Sequence, residues 1–223
     1  MNDKTTQPKS PIGSLLRVWQ KSALANIFKK RRFDFIDSLT GGRVQHGKPI
    51  KILELGCGKG EDFIRYAASF GHEIVGLDIN DRSEISKIGK NISFVQGCVT
   101  EQQYSDNEFD LVVSLGTLEH VEPIRYLNEI TCELDRISKT CILMVPSIST
   151  ILEPHTLEFF WQLRSSQKKK KANNLNFYSD EAWKAFDGLA GYRVIRHTYM
   201  PLISSQYIVK TAATSIDSPA YGE

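Results

Sequence analysis

Short apolar runs alternate with amphipathic segments through the middle of the 223-residue chain, between residues 50 and 147. A strand that is apolar along its whole length is buried on both faces, and strands alternating with helices form parallel sheets covered by helices. The pattern therefore predicts an α/β domain. The predicted strands are 51–55, 73–79, 92–96, 109–115 and 140–145, and the predicted helices are 61–70, 81–90 and 123–137.

The segment before this domain predicts a long helix over 14–39, because apolar residues such as Leu15, Trp19 and Ile27 recur at four-residue spacing. Two glycines after Thr40 would end it, and 43–49 would be a linker. After the domain, the patterns predict helices at 155–163 and 180–189, strands at 192–199 and 206–211, and a hairpin loop over 201–205. The expected organisation is a disordered arm 1–13, a helical extension and linker 14–49, the main domain 50–211 and a flexible tail 212–223.

Composition is that of a globular protein, with 41% hydrophobic and 24% charged residues, so a largely disordered chain is excluded. The four cysteines form no C-x-x-C pair, which argues against a zinc site and favours reduced thiols; no metal ligands are expected. No apolar run reaches the roughly 18 residues that span a bilayer, and no signal peptide is evident. We therefore expect a cytoplasmic protein.

Charge is unevenly distributed although the net charge is only +2. Residues 1–49 hold 10 basic and 3 acidic groups, net +7, whereas 50–147 hold 9 basic and 16 acidic groups, net −7. The basic helix over 14–39 could pack its apolar stripe on the main domain, cover the site as a lid, or contact an anionic membrane surface.

The chemistry is indicated where the first predicted strand ends, because a glycine-rich turn there leads into a helix. Its spacing, with Gly56, Gly58 and Gly60, fits neither the dinucleotide fingerprint nor a phosphate-binding P-loop. Glu54 before the turn would repel a pyrophosphate but would suit an ammonium group. Asp78, at the end of the second strand, could accept both hydroxyls of a ribose, although alone it also fits a helix cap. A ligand with a ribose and an ammonium but no pyrophosphate fits S-adenosylmethionine.

Residues 50–147 resemble the core of class I S-adenosylmethionine-dependent methyltransferases, of the type 11 small-molecule kind. The resemblance rests on the motifs at 54–60 (Glu-Leu-Gly-Cys-Gly-Lys-Gly), 75–79 (Val-Gly-Leu-Asp-Ile), 94–97, 109–114 and 118–121. It implies a Rossmann-like α/β fold with a seven-stranded, mostly parallel sheet in the order 3-2-1-4-5-7-6. The last two strands would come from the C-terminal hairpin, with strand seven antiparallel.

The resemblance also implies a set of cofactor contacts. The methionine and ribose portion would lie on the three glycines of the turn, the ammonium near Glu54, the ribose on Asp78 and the adenine on Ile79. The resemblance also places Cys57 at the cofactor, although its simpler interpretation is a small residue in a tight turn. The remaining positions are Gly97, Cys98 and Val99 beside the adenine, and Leu115 and Gly116 at the methionine end.

One implied contact differs from the family pattern. An acid usually follows the glycine at position 97 and accepts the adenine amino group, but this chain has Cys98. Loss of one hydrogen bond costs about 1 kcal/mol, so we expect binding to survive.

The expected reaction is methyl transfer to a small-molecule acceptor, with oxygen as the favoured atom and S-adenosylhomocysteine as product. Two histidines are candidate bases: His120, which could instead be structural, and His155, which could instead lie near a surface helix cap. Candidate acceptors are a glycan, a lipid-linked sugar, a quinone precursor or a secondary metabolite.

Two alternatives remain open. A non-catalytic module that retains the fold is compatible with Cys98. An RNA methyltransferase could use the basic arm, but the signatures of adenine amino-methylation and cytosine C5-methylation are absent, so no specific nucleic acid is expected.

Overall fold

The computed structural model describes residues 23–60, 62–152, 163, 178–200 and 202–211. Within them a seven-stranded sheet has the order β3-β2-β1-β4-β5-β7-β6. The strands are β1 Lys51–Leu55, β2 Glu73–Asp78, β3 Ile92–Gln96, β4 Phe109–Leu115, β5 Ser138–Pro146, β6 Arg193–Met200 and β7 Ile203–Lys210. The α-helices are α1 Ala23–Leu39, α2 Arg43–His46, α3 Phe63–Ala68, α4 Ile124–Ile137 and α5 Asp180–Lys184. The predicted arm, the start of the first helix, nearly all of the helix over 155–163 and the tail lie outside the described residues.

Strands β1 to β5 pair in parallel, whereas β7 is antiparallel to both β5 and β6. The predicted strand order and the antiparallel seventh strand are therefore confirmed. The carboxyl ends of the parallel strands share one edge, called the carboxyl edge below. The chain winds from β1 towards β3 on one side and through β4 to β5 on the other, and open α/β sheets bind ligands where this direction reverses.

Two hydrophobic layers cover the sheet, because neighbouring strand residues point to opposite faces. In β1, Leu53 faces the layer that contains α4, and Ile52 faces the layer that contains α1 and α3. Helix α4 is strongly amphipathic, as expected for a helix on a sheet. Its buried residues are Leu127, Ile130, Thr131, Leu134 and Ile137.

Helix α1, which precedes the predicted main domain in the chain, packs on the sheet of that domain. Phe33 and Ile36 are buried with residues of β1, β4 and α3, and the Phe35 ring stacks on His197 of β6 at 3.9 Å. The described part of the basic helix therefore packs Phe33, Phe35 and Ile36 on the sheet.

Three predicted elements differ from the structure. The segment 81–90 holds a 3₁₀ turn at Ser83–Lys87 rather than an α-helix; Asp81 Oδ1 accepts the Ser83 N–H at 2.9 Å, which favours a local turn. The predicted linker contains α2, because the Asp37 carboxylate accepts the N–H of Val44 at 2.8 Å. The segment 180–189 is divided into α5 and a 3₁₀ turn at Asp187–Leu189.

The C-terminal hairpin is tighter than predicted. Met200 pairs with Ile203, so the two strands extend into the region predicted as the loop 201–205. Leu202, between them, has a φ of +69°.

Helix α4 joins β5 without a loop. The helix ends at Ile137 and the strand begins at Ser138, whose hydroxyl donates to the Leu134 carbonyl at 2.6 Å. The side chain thus satisfies a carbonyl that the end of the helix leaves without a partner.

Among the described residues, none of the helices combines the length and apolar character needed to cross a membrane.

The packing of α1 can be tested by truncating Ile36, which has no exposed surface. We expect Ile36→Ala to lower the free energy of unfolding by about 2–5 kcal/mol, because it leaves a cavity beneath the helix. Ile27 of the same helix is 54% exposed, so Ile27→Ala should change stability by less than about 0.5 kcal/mol. Urea unfolding measures both; equal effects would show that α1 does not dock as described.

Candidate active site at the carboxyl edge

The glycine-rich turn after β1 is fixed to the end of β2 by backbone hydrogen bonds. The N–H groups of Gly56 and Cys57 both donate to the Leu77 carbonyl, at 2.7 and 3.2 Å. The Gly58 N–H donates to Asp78 Oδ2 at 3.0 Å. The turn and the carboxylate that sequence reasoning assigned to one ligand are therefore in direct contact.

Gly56 shows why this turn needs glycine. Its φ is +70°, and a Cβ built there would lie 2.1 Å from the Thr117 hydroxyl oxygen. Thr117 follows β4, and its hydroxyl donates to the Leu55 carbonyl at 3.4 Å. The absence of a side chain lets the turns after β1 and β4 approach each other closely.

Glu54 places a buried carboxyl group at the start of the turn. The residue is 5% exposed, and its Oε2 atom has no hydrogen-bond partner. Burial, with a smaller contribution from Asp62, raises the pKa of Glu54 to about 8, while Arg32 acts in the opposite direction. A buried acid with an unpartnered oxygen fits a cationic ligand group, whose charge would stabilise the carboxylate.

Asp78 is buried and already accepts three hydrogen bonds. Oδ1 accepts the backbone N–H of Asn80 at 2.9 Å and its side-chain amide at 3.2 Å, and Oδ2 accepts the Gly58 N–H. A carboxylate accepts about four, so one ribose hydroxyl could bind directly. A second ribose hydroxyl would have to replace the hydrogen bond from the Asn80 side-chain amide. The local turn and the capacity for a ribose therefore coexist at this residue.

The turns after β2 and β3 form the opposite end of the site. Ile79 is 73% exposed, which leaves its side chain available to a ring, whereas Val99 is fully buried in the core, so only its backbone is available there. The Gly97 N–H donates to the Asp78 carbonyl at 2.9 Å. Cys98 brings no acid, but Glu101 Oε2 accepts the Cys98 N–H at 3.2 Å, so a carboxylate reaches this turn from three residues later.

The turn after β4 carries one predicted base and one acid that sequence reasoning missed. Gly116, with a φ of +78°, donates its N–H to the Met144 carbonyl at 2.9 Å, beside the half-buried Leu115. Glu119 is fully buried, and its Oε1 lies 3.4 Å from a Cβ built on Gly116. His120 is exposed at the end of the turn. The other predicted base, His155, lies outside the described residues.

The surroundings of Cys57 disfavour the thiolate form of its side chain. Burial first, then Glu54 and Asp78, raises the pKa of its thiol to about 12, so the thiolate is scarce at neutral pH. This agrees with the interpretation of Cys57 as a small residue in a tight turn.

Comparison with known proteins agrees with this geometry. A family model described as "Methyltransferase domain" matches residues 53–139, which run from the middle of β1 through the glycine turn, β2, β3, β4 and α4 to the first residues of β5. Residues 53–139 are a class I S-adenosylmethionine-dependent methyltransferase domain of type 11.

Two curated relatives show how far the likeness extends. The sterol 24-C-methyltransferase of Yarrowia lipolytica is 32% identical over 79 residues, which cover 32% of this chain and 21% of the relative. The 27-O-demethylrifamycin SV methyltransferase of Amycolatopsis mediterranei is 28% identical over 109 residues, 44% and 40% of the two chains. The chain thus matches less than half the length of either protein.

A solved structure shows the same fold over a longer range. The PH0226 protein of Pyrococcus horikoshii OT3 superposes with a TM-score of 0.58 and 17% sequence identity, covering 86% of this chain and 92% of that one.

The methyltransferase domain has residues that fit its cofactor. S-adenosylmethionine carries an ammonium group, for which the unpartnered oxygen of Glu54 is suited, and a ribose, for which Asp78 retains an acceptor position. These two carboxyl groups lie at the ends of adjacent strands, on either side of the glycine turn.

The close approach at Gly56 can be tested against Gly58, which also has a positive φ but has no neighbour within 4 Å of a built Cβ. We expect Gly58→Ala to cost about 1 kcal/mol of stability from backbone strain. Gly56→Ala should cost more, because Thr117 must also be displaced. Thermal and urea unfolding of the two variants compare these costs. Equal losses of stability would mean that the Thr117 side chain can move away without an energetic cost.

The raised pKa of Glu54 predicts a pH dependence of stability. In the unfolded chain the carboxyl group has its ordinary pKa of 4.5 and in the fold about 8. Between these values the folded state binds more protons, so stability falls as pH rises. We expect Glu54→Gln to remove this loss, and its stability relative to the natural chain should rise from pH 5 to pH 8.

The matched control is Glu108→Gln, because a hydrogen bond from Lys51 lowers the pKa of Glu108. The difference in unfolding free energy between Glu108→Gln and the natural chain should stay constant over pH 5–8 and change only at more acidic pH. A flat Glu54→Gln difference over the same window, measured by urea unfolding, would contradict the assignment.

Proposed function

We propose that the chain transfers the methyl group of S-adenosylmethionine to a small-molecule acceptor, with an oxygen atom as the favoured target. The observation that carries the proposal is the pairing of Glu54, a buried carboxyl group with an unpartnered oxygen, with Asp78 across a glycine turn. The carboxyl group of Glu54 also accepts the backbone N–H of Ile64 in α3, but its Oε2 atom has no partner, and a cationic ligand would offset the cost of ionising it.

In this proposal each residue at the edge has a role in holding the cofactor, which supplies an electrophilic methyl group on sulfur. Glu54 binds the ammonium group and Asp78 the ribose. The exposed side chain of Ile79 and the backbone of Cys98 and Val99 contact the adenine. The glycine turn lets the backbone approach the ligand closely, and holding two reactants in line supplies much of the rate enhancement.

His120 is the proposed base for an oxygen acceptor. It lies on the turn after β4, next to the methionine end of the site, and its side chain is exposed to an incoming molecule. The imidazole would take the hydroxyl proton as the oxygen–carbon bond forms, while the carbon–sulfur electron pair stays on sulfur. S-adenosylhomocysteine and a methyl ether are then the products.

The acceptor class is open within this proposal. The names of the two relatives indicate carbon and oxygen methylation, so family membership does not select the atom. A glycan, a lipid-linked sugar, a quinone precursor or a secondary metabolite is compatible with the site, in a cytoplasmic enzyme. The exposed Lys30 and Arg31 of α1, beside the exposed Ile27, would allow contact with an anionic membrane surface that presents such a substrate.

The cofactor proposal is tested by calorimetric titration with S-adenosylhomocysteine. We expect Asp78→Ala to weaken binding about tenfold to a hundredfold, because a charge-assisted hydrogen bond contributes about 1.5–3 kcal/mol. Asp81→Ala, an exposed acid in the same segment, should bind like the natural chain. Failure of the folded natural chain to bind would refute the proposal and favour a non-catalytic module.

A further inference from the structure

Arg32 of helix α1 reaches the carboxyl edge from outside the matched domain. Only 15% of its side chain is exposed, and its Nη2 atom lies 3.4 Å from Asp62 Oδ2, just before α3. Its guanidinium carbon lies 5.8 Å from the ring centre of Tyr199 near the end of β6. The buried Nε atom has no hydrogen-bond partner. A largely buried cation therefore retains an unused donor at this edge.

Glu54 lies within electrostatic reach of this cation. Arg32 lowers the pKa of Glu54 against the larger effect of burial, so the guanidinium and the carboxyl group interact across the start of the glycine turn. Each has one buried polar atom without a hydrogen-bond partner. An unpartnered buried donor and acceptor are both unfavourable, and one ligand with a negative and a positive group would satisfy both.

The amino-acid end of S-adenosylmethionine is such a ligand, because its ammonium and carboxylate are attached to the same carbon. We propose that Arg32 binds the carboxylate of the methionine portion while Glu54 binds its ammonium, so that helix α1 forms one wall of the cofactor site. This inference rests on the proposed function. The planar guanidinium can donate two parallel hydrogen bonds to a carboxylate.

The surrounding charges allow Arg32 to turn towards the ligand. Lys29 also pairs with Asp62, with 2.7 Å between Nζ and Oδ1, so Asp62 keeps a cation when Arg32 contacts the cofactor. The Lys29 side chain is itself 41% exposed, and a water-exposed ammonium would contribute less to recognition than the buried guanidinium. The assignment therefore falls on Arg32.

The test compares two ligands that differ only in the carboxylate: S-adenosylhomocysteine and its decarboxylated analogue, which keeps the ammonium group. The variants are Arg32→Gln, Arg32→Lys and, as the matched control, Arg31→Gln, which changes an exposed arginine on the same helix. Calorimetry gives the affinity of the natural chain and of each variant for each ligand, and melting temperatures show whether the variants are folded.

We expect Arg32→Gln to bind S-adenosylhomocysteine about tenfold to a hundredfold more weakly, yet to bind the decarboxylated analogue within threefold of the natural chain. The affinity of Arg32→Lys for S-adenosylhomocysteine should lie between those of Arg32→Gln and the natural chain, and Arg31→Gln should bind it like the natural chain. Equal losses for both ligands would overturn the proposal in favour of a structural role, and unchanged binding of S-adenosylhomocysteine would overturn it outright. If the natural chain itself bound neither ligand, the proposed function would fail, and this inference with it.

Discussion

Two backbone N–H groups of the glycine turn, those of Gly56 and Cys57, share the carbonyl oxygen of Leu77, and the geometry of the site depends on this junction. It positions Gly58 to donate to the Asp78 carboxylate. The Asp78 carbonyl in turn accepts from Gly97, beyond β3. The turns after three neighbouring strands are thereby fixed relative to one another, and a displacement of one would be transmitted to the other two.

This junction also carries an electrostatic cost. Glu54 is held in a buried position where ionisation is unfavourable, and Asp62 adds to that cost while Arg32 reduces it. Sites that violate the usual rule of pairing buried polar groups are expected where function requires it. Ionisation of Glu54 in the ligand-free fold is therefore unfavourable, and under the proposed function the ammonium group of the cofactor would offset part of that cost.

The sheet and its central turn were predictable because their signals are local. Continuous apolar runs identified β1 to β5, and the spacing of three glycines with one preceding acid identified the turn. Family resemblance supplied the strand order. The 3₁₀ turn at Ser83–Lys87, the short helix α2 and the tight hairpin at Leu202 were not predicted, because side-chain hydrogen bonds and strand register decide them rather than hydrophobic periodicity.

Sequence reasoning also missed residues near the candidate site, among them Arg32 and Glu101, because tertiary contacts rather than local patterns place them there. Arg32 lies 22 residues before Glu54 in the chain, and in the sequence it is one of four consecutive basic residues on a predicted helix. Only the packing of α1 on the sheet distinguishes it from its exposed neighbours. Glu101 was missed because the family pattern places the acid at position 98, where this chain has a cysteine. The sequence contains no signal that a side chain three residues later turns back.

The loopless joint between Ile137 and Ser138 has a consequence for how this fold can diversify. At that end of the sheet a helix passes directly into a strand, so an inserted or deleted residue would rotate the helix against the core or shift the register of β5. At the carboxyl edge, by contrast, residues 116 to 123 connect β4 to α4. An insertion can therefore be accommodated in that connection, whereas the joint between α4 and β5 tolerates point substitutions alone.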